Sequence, residues 1–114
     1  AVGDQVLQAT AKIMTQNVRA GDLLARWGGE EFLALLPRTS PTAALEAAER
    51  IREAVEAFTL RVSDTNTQVR ATISFGVSSV WCLDDLQAAT ARADQALYAS
   101  KDNGRNRVTL AEDQ

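Results

Sequence analysis

Leu23-Leu24-Ala25-Arg26-Trp27-Gly28-Gly29-Glu30-Glu31-Phe32-Leu33-Ala34-Leu35-Leu36 is the stretch on which the fold turns. Leu23 to Trp27 reads as a short strand and Glu31 to Leu36 as a second. Phe32, Leu33, Leu35 and Leu36 put apolar side chains on both faces of that second strand. A strand of this kind belongs inside a sheet covered by helices. Two strands joined through Gly28 and Gly29 predict a hairpin.

Helical spacing lies on either side of the hairpin. Leu7, Ala11, Met14 and Val18 form one apolar stripe in a helix predicted from Asp4 to about Val18. Ser40 followed by Pro41 is a helix-start signal: a hydroxyl cap, then a ring whose missing N–H costs nothing at the first helical position. Leu45, Ala48, Ile51, Val55 and Phe58 carry that helix along one face. Asp64 to Thr67 reads as a turn. Val69, Ala71, Ile73, Phe75 and Val77 then alternate with Arg70, Thr72, Ser74, Gly76 and Ser78. This predicts one long strand, with Thr59 to Val62 as a candidate partner. Leu86, Ala89, Ala93, Leu97 and Ser100 mark a third helix that starts near Asp84 or Asp85. Asn103-Gly104 supplies its left-handed stop, and Arg107 to Leu110 forms a last short strand. The order predicts an α/β sandwich with a mixed, largely antiparallel central sheet wrapped by helices.

Composition bounds the function. With 114 residues the chain is one domain at most, and 46% hydrophobic with 24% charged residues is an ordinary globular balance. A net charge of -3 argues against a general nucleic-acid surface, but not against a small phosphorylated ligand. Cys82 is the only cysteine, which predicts a reducing, cytoplasmic setting, whether or not the parent is membrane-anchored. The absence of His removes the commonest general base and zinc ligand. No apolar run approaches the about 18 residues of a membrane span, so this segment is expected to make no direct membrane contact.

Arg26-Trp27-Gly28-Gly29-Glu30-Glu31-Phe32 resembles the motif that names the GGDEF family, in its GGEEF form. Gly3-Asp4-Gln5-Val6-Leu7 resembles the family's first helix start. Thr72-Ile73-Ser74-Phe75-Gly76-Val77 resembles its inner strand. Ala93-Asp94-Gln95-Ala96-Leu97-Tyr98, Lys101 and Gly104-Arg105-Asn106 resemble its closing segment. A lone GGEEF would be weak, since short motifs recur by chance; four blocks in order over nearly the whole chain are not. The resemblance implies a palm-like nucleotidyl cyclase fold. It implies condensation of two GTP molecules into cyclic di-GMP with release of two pyrophosphates. Each domain would hold one GTP, so two domains must meet face to face.

The residue types suit that chemistry. Attack of a 3′-hydroxyl on an α-phosphate needs alignment and charge neutralisation more than a protein nucleophile. Mg²⁺ (or Mn²⁺) supplies both and prefers carboxylate oxygens. By resemblance Glu30 is the metal ligand and a candidate for deprotonating the hydroxyl. Glu31 is a second catalytic candidate, although the next strand position faces the other way. Gly28 and Gly29 let a nucleotide lie against bare backbone. The bland alternative for the tetrapeptide alone is a surface hairpin with two solvated acids.

By resemblance Lys101 and Arg105 hold the triphosphate; cations near a helix C-terminus also complement its dipole without any ligand. Asp4 is either a guanine contact by resemblance or an N-cap of the first helix. Arg19 and Asp22 stand at the spacing of the family's RxxD inhibitory site, where product binds, and Arg50 falls where the family often supplies a second arginine. Arginine can bond two acceptors on the guanine edge at once, and a carboxylate accepts its amino and imino hydrogens. The alternative is an Arg19–Asp22 loop salt bridge worth under about 1 kcal/mol. Trp27 and Tyr98 read as packing residues.

The family pattern places a strand and loop before Gly3, with a metal-binding Asp, a phosphate-contacting Lys and a guanine-contacting Asn. The chain begins at Ala1, and residues 1–114 are read as the C-terminal major part of the domain. The expectations are that this polypeptide alone lacks cyclase activity and that it associates as a homodimer or domain-swapped oligomer. A different class of function is a non-catalytic receptor that senses cyclic di-GMP through Arg19, Asp22 and Arg50.

Overall fold

The computed structural model describes residues 2–28, 31–62 and 67–111. Helix α1 (Val2–Gln16) leads into a hairpin of β1 (Leu23–Gly28) and β2 (Glu31–Leu35). Helix α2 (Pro41–Ala57), strands β3 (Thr59–Val62) and β4 (Thr67–Arg70), strand β5 (Phe75–Val77), helix α3 (Leu86–Asp102) and strand β6 (Val108–Leu110) follow. The expected turn at 64–67 falls mostly outside the described residues; Thr67 itself opens β4.

The mixed, largely antiparallel character holds. β1 pairs antiparallel with β2 and β3 antiparallel with β4, whereas β5 pairs parallel with β6. Among the described residues these strands form three two-stranded sheets rather than one continuous sheet. The single strand predicted over residues 69–78 is corrected accordingly. It divides into β4, which pairs with β3, and β5, which pairs with β6; residues 71–74 join no ladder. The strict alternation across that gap still has a physical cause, because Ile73 and Phe75 both pack against the core.

Helix α1 runs from Val2 to Gln16, so the stripe expected to reach Val18 stops short of it, whereas the start of α2 is as read. Ser40 caps α2: its backbone is extended and its Oγ accepts the Ala43 N–H at 3.2 Å, with Pro41 next in the first turn. Ala48, Ile51 and Val55 bury the inner face of α2. Phe58 is a correction: it is the C-cap residue of α2, with extended backbone, and is 42% exposed. Met14, Ile51 and Val55 form the buried cluster, and Ile13, Leu24, Phe32, Ile73 and Phe75 pack around it. That cluster ties α1, α2, the hairpin and β5 together.

The parallel pair is covered on two sides. Phe75 faces the α1–α2 cluster, and the neighbouring Gly76 faces α3. Alternation along a strand requires this opposition. A Cβ at Gly76 would collide with the Ala93 carbonyl oxygen and the Leu97 nitrogen. Backbone therefore lies directly against backbone here. Ala89 and Ala96 keep the facing side of α3 small, and Ser100 is completely buried beside them. Tyr98 is a correction to the packing expectation. It lies on the outer side of α3 and is 72% exposed.

Gly76→Ala is expected to lower stability by about 3 kcal/mol, because the obstacle is main chain that cannot rotate away. Urea denaturation of the intact protein measures it. Gly3→Ala in α1 meets open space, so it should leave the midpoint unchanged or raise stability by up to about 1 kcal/mol.

Candidate functional site

The hairpin is less regular than a plain turn. Arg26 stands opposite Phe32 and Gly28 opposite Glu31, so one extra residue, Trp27, sits in β1. A bulge of this kind bends and twists the strand near its end. Alternation alone did not show it. Gly29 and Glu30 lie outside the described residues, as does the side chain of Trp27.

Helix α3 reaches the hairpin through its last turn. Lys101 Nζ is 4.0 Å from Glu31 Oε2, and both side chains are partly exposed. Two residues singled out from distant stretches of sequence are thereby brought together. Ser100, one position earlier, fixes this end of the helix. Its Oγ donates to the Phe75 carbonyl at 2.8 Å and shares a 2.6 Å hydrogen bond with Thr109 Oγ1.

The stop after α3 is a Schellman turn: the Arg105 N–H donates to the Ser100 carbonyl at 2.9 Å, and Gly104 has φ 118°. Arg105 and Asn106 continue left-handed at φ 63° and 50°. Such values are uncommon for residues with a Cβ, though Asn tolerates them better than most. The Arg105 side chain is exposed and bonds to no described residue.

Asn106, the last residue of the Gly104-Arg105-Asn106 segment, has partners on other elements. Its Oδ1 accepts from Arg52 at 3.0 Å, its Nδ2 donates to Glu56 Oε2 at 2.7 Å, and its N–H donates to Ser74 Oγ at 3.0 Å. Arg52 is also paired with Glu49 and Glu56. The hydrogen bond to the Glu49 carboxylate raises the Arg52 pKa above its ordinary value. An Asn directly after Gly-Arg was the one sequence signal for this role.

Arg19 and Asp22 make a closed loop. The Arg19 N–H donates to Asp22 Oδ2 at 2.8 Å, and the Asp22 N–H returns to the Arg19 carbonyl at 3.0 Å. The Asp22 side chain is 6% exposed and that of Arg19 is 65% exposed. The guanidinium approaches Asp22 at 3.8 Å but bonds elsewhere, to the Pro37 carbonyl at 3.4 Å and to Thr39 Oγ1. Arg50 on α2 donates to the Asn17 carbonyl at 3.4 Å, just before this loop. These three residues therefore lie around the segment between α1 and β1.

Asp4 lies inside the first turn of α1 and is exposed, so it is not that helix's N-cap. No hydrogen bond or ion pair joins it to Lys101, Arg105 or Glu31. Among the described residues no cluster of acidic, Cys or His side chains could hold a metal ion. No helix of the described residues is long and apolar enough to cross a membrane.

Comparison with known proteins identifies the family. The family pattern described as diguanylate cyclase, GGDEF domain, matches residues 1–107. Diguanylate cyclase A of Treponema denticola is 47% identical over 112 residues, which is 97% of this chain and 30% of that protein. The response regulator PleD of Caulobacter vibrioides is 42% identical over 94% of the chain and 24% of its own length. The chain thus spans only a minor part of the curated relatives it matches. Among solved structures, the GGDEF domain of DgcB from Caulobacter crescentus in complex with c-di-GMP superposes with a TM-score of 0.92 at 36% identity, covering 98% of this chain and 66% of that one. Diguanylate cyclase SiaD of Pseudomonas aeruginosa, solved with its activator SiaC, gives 0.88 at 38% identity over 96% of this chain and 41% of its own. With its fold shared and its sequence matched from residue 1 to residue 107, the chain belongs to the GGDEF domain family of diguanylate cyclases.

Proposed function

We propose that this domain, in its parent protein, condenses two GTP molecules into cyclic di-GMP and two pyrophosphates. The observation that carries the reading is the approach of Lys101 to Glu31 at the start of β2. A cation from α3 stands beside the first residue of β2, which follows Gly28 and Gly29 closely in sequence; this suits a nucleotide whose phosphates need positive charge and whose base or sugar needs bare backbone. Gly28 and Gly29 receive the nucleotide, Lys101 and Arg105 hold its triphosphate, and Asp4 contacts the guanine. Bound Mg²⁺ or Mn²⁺ supplies charge neutralisation at the reacting phosphate. Glu30 offers it a hard oxygen ligand, and Glu31 adds negative charge beside it. Glu30, the proposed ligand, lies outside the described residues, among which no metal-holding cluster occurs. Two such domains, each with its GTP, bring each 3′-hydroxyl to the other's α-phosphate, which makes a homodimer the working unit.

The Arg19–Asp22 loop supports product feedback. The buried Asp22 carboxylate already holds the loop closed, so the exposed Arg19 guanidinium need only leave Pro37 and Thr39 to meet a guanine edge. Arg50 stands at the same loop through Asn17. The same feature favours a second reading, a receptor that binds cyclic di-GMP without catalysis. The DgcB domain solved in complex with c-di-GMP is a relative of this chain and supports ligand binding under either reading.

In the intact protein, Glu30→Ala is expected to abolish cyclic di-GMP synthesis while the thermal melt stays unchanged; retained turnover sinks the metal-ligand role. Arg19→Ala is expected to weaken cyclic di-GMP binding by at least tenfold in calorimetry, as loss of a charge-assisted bidentate contact requires. Equal affinity in both proteins removes the inhibitory site. Product binding by a protein that makes no product from GTP selects the receptor reading.

A further inference from the structure

Arg105 poses a mechanical problem. It lies in a left-handed turn, Gly104 to Asn106, in which two of three residues carry side chains at positive φ. Left-handed backbone costs roughly 1–2 kcal/mol for an ordinary L-residue. Strain of this kind persists only where surrounding structure over-determines it, and it concentrates at ligand clamps. The Schellman bond from the Arg105 N–H to Ser100 accounts for the helix end, and Gly104 accommodates the reversal. Neither explains why the left-handed path continues through Arg105 and Asn106.

The polar clamp on Asn106 does explain it. One amide side chain bridges Arg52 and Glu56 on α2, and its own N–H is taken by Ser74. A second strut reaches Arg105 from the far side, where Arg107 Nε donates to the Arg105 carbonyl at 3.2 Å. The Arg105 main chain is held before and after the residue, while its guanidinium bonds to no described group. A fixed stem with a free cationic head is the arrangement expected of a preorganised anion contact.

We propose that Asn106 is the positioning residue of the triphosphate site: clamped to Arg52 and Glu56 of α2, it holds the left-handed turn from which Arg105 meets the phosphates. The proposal rests on the reading of Arg105 given above. It makes α2 a structural support of phosphate binding as well as the bearer of Arg50.

The experiment uses the intact protein and compares calorimetric affinity for α,β-methylene GTP with that for GMP, which lacks the β- and γ-phosphates. Asn106→Gly keeps the left-handed backbone without strain and deletes only the bridge. It is expected to weaken the triphosphate analogue about tenfold, as loss of one well-aligned charged hydrogen bond would, and to leave GMP unchanged. Arg105→Ala should show the same selective loss, and the double variant no more than either single one. Arg52→Met removes the clamp from the helix side and decides the matter if Asn106→Gly does not fold. Wild-type affinity for the analogue in Asn106→Gly or Arg52→Met, with the loss intact in Arg105→Ala, overturns the positioning role alone. Equal loss for analogue and GMP reduces Asn106 to general support and also overturns it. Unchanged affinity in Arg105→Ala overturns the triphosphate reading and the proposal with it.

Discussion

The close contact of α3 with the β5–β6 pair is the constraint on which the rest depends. Gly76 admits the helix backbone to the strand backbone, and Ser100 locks the approach with one hydroxyl that serves both strands. A buried hydroxyl left without such partners would cost about 1–3 kcal/mol, so its two bonds also fix the register of the helix over the strands. Lys101 follows directly and stands at the hairpin, and the Schellman turn that carries Arg105 starts from the Ser100 carbonyl. The placement of Lys101 and Arg105 is thus an extension of a packing contact.

Helix α2 is the second organising element, and its faces do different work. Ile51 and Val55 build the core with Met14. Arg50 reaches the loop after α1, while Arg52 and Glu56 grip Asn106. The proposed regulatory and phosphate-binding regions both lean on this one capped helix. Its Ser40 cap and Pro41 start define where those side chains emerge.

The hairpin joins these supports to chemistry. Its proposed role as the nucleotide platform rests on Gly28 and Gly29, and the bulge at Trp27 breaks the regular ladder at the end of β1. Phosphoryl transfer asks the protein mainly for position and charge. The proposed function asks no more of the hairpin than that, and the structure supplies one part of it, the cation Lys101 delivered by a distant helix to Glu31.

By itself the sequence determined what local physics governs. Apolar spacing gave the three helices, Ser40-Pro41 the start of α2, Gly104 the stop of α3, and the ordered motifs the family. Tertiary structure decided what depends on partners far along the chain. The alternating run at residues 69–78 splits, because β4 finds β3 as its neighbour while β5 finds β6, more than thirty residues later. Tyr98 faces outward because the inner side of α3 must be small enough to meet Gly76. Lys101 meets Glu31, and Asn106 meets Arg52, across separations that no period of 2 or 3.6 residues can encode. Periodicity reports which face a residue takes on its own element; only the packing of elements decides what that face will touch.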